Sequence, residues 1–303
     1  MNVLLTGATG FVGSFVAREL LRHGHHVRAV FLDSDDRQRV ADILQHMESR
    51  PVNLFSASEE QLGDLGRGVD LCIHCAWFAV PAKYLTAPEN VGCMHGSLRL
   101  FRALGHAGCR RILALGSCVE YDCDYGYLSE HTPVKPTNLY AAAKLSTQLV
   151  GHEICRLLGA SFAWARLFYL YGPQEETSRL VPTITRALLC GRTAEVTQGR
   201  QVRDFLHVED VASAVVATAM STITGPVNIG SGIPVSVREV VSILGEETGR
   251  PELLKFGARQ DNDFDPPFIC ANNSKLRAEA SWAARYDLRA GLKHTIDWWR
   301  QTV

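Results

Sequence analysis

The sequence lacks a strong net charge, a long apolar run and a targeting segment. Its 303 residues carry 31 Lys and Arg against 32 Asp and Glu, a formal net charge of −1, which argues against a large cationic surface for nucleic acid or anionic membrane. No apolar run approaches the ~18 residues of a spanning helix. The N-terminus has no basic segment followed by a cleavage site, so no signal peptide is expected and the predicted location is cytoplasmic.

Cysteine is present, but not in the pattern of a disulfide framework. The 9 cysteines are odd in number and scattered along a long chain. Cys72 and Cys75 have C-x-x-C spacing inside an apolar run that predicts a strand, where residues three apart point to opposite faces. They are interpreted as buried free thiols rather than a redox or zinc pair, and no metal site is predicted.

Apolar runs and helical patterns alternate through the first half of the chain. Strands are predicted at 2–6, 27–32, 52–55, 69–76, 111–116 and 161–168. Helices are predicted at 11–23, 36–48, 89–107 and 138–158. Strands alternating with helices of this length predict an α/β fold with a Rossmann-type, doubly wound parallel sheet.

The glycine-rich stretch "TGATGFVG", residues 6–13, follows the first strand and opens the first helix. Gly7 permits a tight turn with positive φ, and Gly10 lets the backbone approach a pyrophosphate. Gly13 lets helix and strand pack closely, while the helix N-terminus offers free N–H groups to phosphate. Strand, turn and helix in this order predict a dinucleotide site.

The spacing of elements changes after "YGP" at residues 171–173. Short strands at "AEVTQ", "PVNIG" and "LLKF" alternate with helices near 178–190, 209–219 and 236–248, and a last helix ends the chain. Residues 1–170 are therefore predicted to form the dinucleotide-binding domain. Residues 171–303 are predicted to form a smaller α/β substrate-binding lobe, with some chain crossing between the two.

"YAAAK", residues 140–144, places a tyrosine one helical turn before a lysine. A tyrosine phenol has a pKa near ~10 and is a poor base at neutral pH. The charge of Lys144 and a helix N-terminus capped by Asn138 are expected to lower that pKa. Tyr140 would then act as an acid/base near neutrality. Alone, the pattern is short and common by chance, and it is more typical of a packed tyrosine and a solvated lysine.

Four motifs together resemble the extended short-chain dehydrogenase/reductases, the NAD-dependent epimerase/dehydratase family. They are the G-x-x-G-x-x-G turn, "YAAAK", "RLFYLYGP" at 166–173 and "VRDFLHVEDVASAV" at 202–215. The resemblance runs from residue 2 to about residue 300. It implies NAD or NADP as cofactor and a nucleotide-diphosphate sugar as substrate.

The resemblance also implies site residues. A catalytic triad is expected at Ser117, which closes the fifth strand, Tyr140 and Lys144. Cofactor-binding residues are expected at Gly7, Thr9, Gly10, Phe11, Val12, Asp33, Arg37, Cys75, Ala76, Tyr140 and Lys144. Substrate-binding residues are expected at Ser117, Glu120, Tyr169, Arg203 and Arg259.

Several of these residues have a second interpretation. Glu120 contacts the sugar or a neighbouring loop, or is an exposed charge at a strand end, with a slight preference for exposure. Arg203 and Arg259 bind the diphosphate or pair with Asp204 and Asp261. Tyr169 replaces the family's phosphate-binding asparagine. His74 lines the cofactor cleft or is a buried structural histidine.

The choice of cofactor depends on the end of the second strand. Family members that use NAD usually carry an acidic residue there for the adenosine ribose, and Phe31 occupies that position. Asp33 lies two residues on and could serve instead, whereas Arg37 could bind a 2′-phosphate. NADP is slightly favoured over NAD.

The residues after Ser117 bear on the reaction. Dehydratases of the family carry an acidic pair there, and Cys118 and Val119 replace it, so dehydration is not expected. "GSCVEYD" is most similar to reductases of nucleotide-linked 4-keto-6-deoxyhexoses. A C4 epimerase remains the alternative. A non-catalytic dinucleotide sensor is disfavoured because Tyr140 and Lys144 are both kept.

The two long helices predict an oligomer. Apolar residues of 138–158 occupy more than one face, and only one face can cover the sheet. The second face, with helix 89–107, is expected to pair across a two-fold axis as a homodimer.

Overall fold

The computed structural model describes residues 1–260 and 265–302. Its strands are β1 Asn2–Thr6, β2 His26–Phe31, β3 Glu48–Pro51, β4 Leu71–His74, β5 Arg111–Ser117, β6 Tyr127–Leu128, β7 Ser161–Leu167, β8 Tyr169–Tyr171, β9 Ala194–Val196, β10 Val202–His207, β11 Gly225–Ile229, β12 Pro234–Ser236, β13 Leu254–Phe256 and β14 Cys270–Ala271. Its α-helices are α1 Phe11–Arg22, α2 Glu59–Gly66, α3 Glu89–His106, α4 Leu139–Leu157, α5 Leu180–Leu189, α6 Val208–Met220, α7 Val237–Thr248, α8 Ser274–Glu279 and α9 Leu288–Arg300.

Seven parallel strands form the main sheet in the order β11-β7-β5-β4-β1-β2-β3. Side chains alternate across it: Val3 and Leu5 of β1 face a core shared with α1 and α6, whereas Leu4 faces a core shared with α3. Both faces of the sheet are covered by helices, as expected for strands of near-continuous apolar character. The predicted doubly wound fold is confirmed.

The strand order reverses beside β1. The chain passes from β1 to β2 and β3 on one side, and then returns to place β4 on the other side. Ligands of open α/β sheets bind where the order reverses, at the carboxyl ends of the strands. Thr6 and His74 are the last residues of the two strands at this point.

The chain after residue 170 contributes to both parts of the molecule. Strand β11, predicted for the second lobe, is the outer strand of the main sheet, and α6 packs against α1. The remaining elements form small sheets, β12-β10-β8, β13-β9 and β14-β6, with a separate core between α5, α7 and α9. The division at residue 170 is thus crossed in both directions: β11, α6 and α8 join the main sheet and its core, whereas β6, which precedes residue 170, pairs with β14.

Two local predictions were wrong. Residues 36–48, predicted as a helix, contain instead two short 3-10 turns, Gln38–Val40 and Leu44–His46. The first of these turns is enough to place Val40 in the core. The third strand is Glu48–Pro51, not residues 52–55. It is an exposed edge strand and has no apolar pattern to reveal it.

The described residues contain no helix that is both long and apolar enough to span a membrane. All nine cysteines are free thiols, including Cys72 and Cys75. The cytoplasmic location stays a prediction.

Candidate active site

The glycine turn lies at the point where the strand order reverses. Gly7 has φ +69°, and its N–H donates to the Val30 carbonyl at 2.8 Å. A Cβ on Gly7 would lie 2.8 Å from the Ala76 nitrogen, and one on Gly13 would collide with the Gly7 carbonyl oxygen. Only glycine allows the turn, β4 and α1 to approach so closely.

The first turn of α1 is open to an anion. Gly10 is the N-cap, with no side-chain hydrogen bond closing the helix and no acidic residue in the first turn. The N–H groups of Phe11 and Val12 therefore have no capping side chain, and the positive end of the helix dipole is not neutralised there. These residues fit a dinucleotide pyrophosphate.

The segment after β2 carries the acids considered for the adenosine ribose. Asp33 is exposed and paired with Arg37 at 2.9 Å, while the Arg37 guanidinium also lies 5.1 Å from the Phe31 ring centroid. The acid that faces the glycine turn is Asp35, whose carboxylate accepts from the Thr9 hydroxyl at 2.8 Å. Asp35 is thus better placed than Asp33 to meet a ligand on the turn.

The end of β4 is held by a buried histidine. The His74 ring bonds the Thr6 hydroxyl through Nδ1 and the Ser97 hydroxyl through Nε2, both at 2.8 Å. The Thr6 hydroxyl also accepts from the Ala76 N–H at 3.2 Å. Of the two interpretations of His74, the structure supports the buried structural residue, which orients the Cys75–Ala76 segment against Gly7.

Burial lowers the pKa of His74 to about 3, and the same effect lowers the pKa of His207 to about 3. In the unfolded chain both groups have a pKa near ~6.5. Below that pH the unfolded state binds more protons, so each neutral histidine makes folding less favourable as the pH falls. Glu175 opposes this trend, because burial raises its pKa to about 8.

The contribution of His74 can be isolated by comparing wild type with His74→Asn. The difference between their free energies of unfolding is expected to shrink by up to about 1.4 kcal/mol per pH unit as the pH falls from ~6 to ~4. Urea unfolding at several pH values measures this. A difference that is independent of pH would contradict the neutral, buried state of His74.

Ser117, Tyr140 and Lys144 come together at the carboxyl edge of β5. Ser117 ends that strand, and its hydroxyl lies close enough to the Tyr140 phenol to act on the pKa of that group. Tyr140 lies in the first turn of α4, and the predicted N-cap is confirmed because the Asn138 side chain accepts from the Ala141 N–H at 2.9 Å. Lys144 is one turn further, with its side chain buried.

Lys144 is oriented by groups that the sequence did not reveal. Its Nζ donates to the Leu115 carbonyl at 2.7 Å and lies 3.8 Å from the centroid of the Trp77 ring. The Nζ is 5.8 Å from the centroid of the Tyr140 ring. Burial lowers the pKa of Lys144 to about 8. Trp77 could not be found from a motif, because it follows β4 in an irregular segment.

The expectation of a lowered Tyr140 pKa is not met by the polypeptide alone. Burial raises the pKa of Tyr140, with further contributions from Tyr84 and Glu120, while the Ser117 hydroxyl lowers it. The Tyr84 ring lies edge-on to it at 4.9 Å between centroids. The protein therefore keeps Tyr140 protonated, as a proton donor requires.

Of the predicted substrate residues, Arg203 and Tyr169 are in contact with each other, and Arg259 lies on an exposed segment. Arg203 is buried, ion-paired with Asp265 at 2.6 Å and stacked 5.3 Å from the Tyr169 ring centroid. Tyr169 packs on the cluster containing Cys118, next to Ser117. Arg259 is exposed, in the segment after β13.

Two of the alternative interpretations can be corrected. Asp204 does not pair with Arg203, because its carboxylate accepts backbone N–H groups of Ser231, Gly232 and Ala271. Asp261 lies outside the described residues. Glu120 is neither exposed nor placed to contact a sugar, because it is fully buried beneath Ser117.

The parallel sheet has an open glycine turn at its reversal point, a serine at the end of the neighbouring strand β5, and a tyrosine and a lysine on the first turns of α4. Together these features define an enzyme of the short-chain dehydrogenase/reductase class. The chain belongs to the NAD dependent epimerase/dehydratase family, whose model matches residues 3–230. The family predicted from the four motifs is confirmed.

The chain is similar to enzymes of different reactions. UDP-glucose 4-epimerase of Corynebacterium glutamicum is 27% identical over 314 residues, covering 95% of this chain and 93% of the relative. The dTDP-6-deoxy-L-talose 4-dehydrogenase (NAD(+)) of Aggregatibacter actinomycetemcomitans is 24% identical over 243 residues, covering 80% and 88%. The structure of MoeE5 in complex with UDP-glucuronic acid and NAD is 29% identical and covers 100% of both chains at a TM-score of 0.83. Membership of the family leaves the reaction open.

Proposed function

We propose that this protein reduces the C4 ketone of a nucleotide-linked keto-deoxy sugar by hydride transfer. The observation that carries the proposal is the group of Ser117, Tyr140 and Lys144 at the carboxyl edge of β5, beside the open glycine turn. Cys118, buried where dehydratases carry an acid, argues against elimination.

The chain's residues have separate tasks in this reaction. A reduced nicotinamide, when bound, supplies the hydride. The Ser117 hydroxyl holds the carbonyl oxygen of the sugar, and Tyr140 donates its phenolic proton to that oxygen as negative charge develops. The buried Lys144 ammonium stabilises the phenolate that remains. Trp77 and Tyr84 pack edge-on against the Tyr140 ring and hold its orientation.

A C4 epimerase with tightly bound NAD is the second candidate. The similarity to UDP-glucose 4-epimerase over nearly the whole chain favours it. The same three side chains would serve, with Tyr140 first accepting and then returning a proton. The two candidates differ in whether the cofactor is consumed.

NAD is the cofactor we propose, although the sequence slightly favoured NADP. The arguments for NADP were Phe31 in place of an acid and Arg37 as a partner for a 2′-phosphate, and the guanidinium of Arg37 is paired with Asp33. Asp33, Asp35 and Asp36 outnumber Arg37 in this segment, so a 2′-phosphate would meet excess negative charge. The NAD bound in the structure of MoeE5 is consistent with this choice.

The test mixes the purified protein with reduced cofactor and a panel of nucleotide-linked 4-keto-6-deoxy sugars. We expect reduced-nicotinamide absorbance to fall in proportion to the sugar that is reduced. We also expect the KM for NADH to be lower than the KM for NADPH. A parallel incubation supplies oxidised NAD and nucleotide sugars that carry a C4 hydroxyl; formation of the C4 epimer there, without net change in reduced-nicotinamide absorbance, supports the epimerase instead. Cofactor binding without turnover of any sugar would contradict both candidates.

The substrate's diphosphate is proposed to bind at Arg203. Its guanidinium is held between Asp265 and the Tyr169 ring, close enough to Cys118 to influence that thiol's pKa, and therefore near Ser117. A fixed guanidinium can donate two hydrogen bonds to phosphate oxygens. Arg259 is proposed as a second, peripheral contact.

Arg203→Ala is expected to raise KM for the nucleotide sugar by about tenfold or more, because a charge-assisted hydrogen bond contributes ~1.5–3 kcal/mol. Affinity for the cofactor should change little. Steady-state kinetics and a cofactor titration measure the two effects. An unchanged KM would mean that Arg203 serves only to pair with Asp265.

A homodimer through α3 and α4 is proposed from their exposed apolar residues. Val91 on α3 and Leu149, Val150 and Leu157 on α4 are between 47% and 75% exposed. Pairing the two helices with their symmetry copies would bury these side chains. Light scattering at micromolar concentration is expected to give about twice the 33.4 kDa chain mass. A monomer that remains active would contradict the proposal.

A further inference from the structure

Glu120 is a fully buried carboxylate directly beneath Ser117. Its Oε1 accepts from the Ser117 backbone N–H at 2.7 Å, and its Oε2 accepts from Arg166 Nε, also at 2.7 Å. The Trp164 indole N–H donates to the same carboxylate at 3.0 Å. All three donors come from β5 and β7, so the carboxylate ties the two strands together where the proposed reaction takes place.

The partner of Glu120 is equally fixed. Arg166 is 2% exposed, and its second nitrogen donates to the Gln148 side chain of α4 at 2.7 Å. Its guanidinium lies 4.2 Å from the centroid of the Tyr121 ring. The Tyr121 hydroxyl in turn donates to Asn228 of β11 at 2.7 Å. The ion pair is therefore linked to the helix that carries Tyr140 and Lys144.

No side chain larger than glycine fits at position 116 beside this pair. A Cβ on Gly116 would collide with the Trp164 indole nitrogen and lie 2.7 Å from the Glu120 carboxylate. Buried ion pairs are costly to desolvate, and apolar residues of similar volume often stabilise a core as well or better. Stability alone therefore gives a weak reason for a carboxylate and a guanidinium at this position.

We infer, on the basis of the proposed function, that Glu120 is a positioning residue. Its carboxylate fixes Ser117 by accepting the Ser117 backbone N–H, and together with Arg166 it keeps a charge-balanced pair beside Tyr140 and Lys144. The geometry that carries this inference is the direct hydrogen bond to Ser117 and the link through Gln148 to α4.

The negative charge also acts on the two titrating groups. Glu120 raises the pKa of Tyr140 and of Lys144, so it helps to keep the phenol protonated and the ammonium charged. Other titratable or charged groups around these two side chains are Tyr84 before α3, Cys118 after β5, His74 at the end of β4, Cys75 after β4, Cys93 on α3 and Arg166 on β7. Of these, only Arg166 is a permanent cation, so loss of the Glu120 charge would leave it unbalanced.

Glu120→Gln tests the role of charge. Arg166 then remains uncompensated near Tyr140 and favours the phenolate, so the alkaline limb of the kcat profile for reduction is expected to move to lower pH by about one unit or more. In the double variant E120Q/R166Q, which removes both charges, the limb should return toward its wild-type position. A merely structural role would lower kcat at every pH without moving the limb.

Glu120→Asp tests the role of position. It keeps the charge but withdraws the carboxylate from Ser117 by one methylene. We expect kcat to fall by about 10–100-fold, because a displacement of ~1 Å can cost that much. The alkaline limb of the kcat profile should stay at its wild-type pH. A folded E120Q with the wild-type limb would overturn the inference. If E120Q does not fold, a wild-type kcat in E120D overturns it. Failure of the proposed function is distinct, since wild type itself would then show no turnover.

Discussion

Tyr140→Phe is expected to lower kcat by about 10²–10⁴-fold, the usual contribution of a positioned proton donor. The ring keeps its edge-on contacts with Trp77 and Tyr84, so the fold should be preserved. Only the hydroxyl that lies close to Ser117 and donates the proton is removed. The affinity for reduced cofactor should therefore change by no more than a few-fold.

The matched control is Tyr125→Phe, which removes the same hydroxyl from an exposed side chain in the turn before β6. It should turn over as wild type does. Single-turnover kinetics with saturating cofactor separate the chemical step from product release. Comparable rates for wild type and Tyr140→Phe would remove Tyr140 from the mechanism.

Gly13→Ala is expected to lower both the free energy of unfolding and the affinity for the dinucleotide, although it adds only one methyl group. The added Cβ would collide with the Gly7 carbonyl oxygen, which cannot move without opening the turn. Overpacking of this kind costs about 1–3 kcal/mol of unfolding free energy. It should also weaken dinucleotide binding, since the turn and the α1 N-terminus would separate.

The control for this change is Gly63→Ala on α2. A Cβ there meets no atom within 4 Å, so it should stabilise the helix by about 0.5–1 kcal/mol. Urea unfolding and a cofactor titration measure both variants. A Gly13→Ala protein with wild-type stability and cofactor affinity would show that neither property depends on the close approach of α1 to the Gly7 carbonyl.

The features that the sequence predicted well are those that depend on local spacing. The glycine turn, the Asn138 cap and the one-turn separation of Tyr140 and Lys144 each follow from backbone geometry over a few residues. The parallel sheet follows from alternating apolar strands and amphipathic helices. In each case the chemical reason lies within one or two neighbouring elements.

The features that the sequence did not predict depend on distant residues. Glu120 meets Arg166 across 46 positions of the chain, so nothing near Glu120 reveals that it is buried rather than exposed. The pairing of Arg203 with Asp265 is of the same kind. The edge strand β3 was missed because an edge needs no apolar face, and the chain's own effect on the Tyr140 pKa depends on burial that only the fold provides.

The central claim is hydride transfer at a sugar carbon with Tyr140 as proton donor. The most direct measurement supplies reduced NAD carrying deuterium at the transferable position, together with the nucleotide-linked 4-keto sugar that is turned over, and locates deuterium in the product by NMR. The account predicts one deuterium at C4 with wild type, and a far slower appearance of the same product with Tyr140→Phe. A product without deuterium at C4, formed at the wild-type rate, would contradict it.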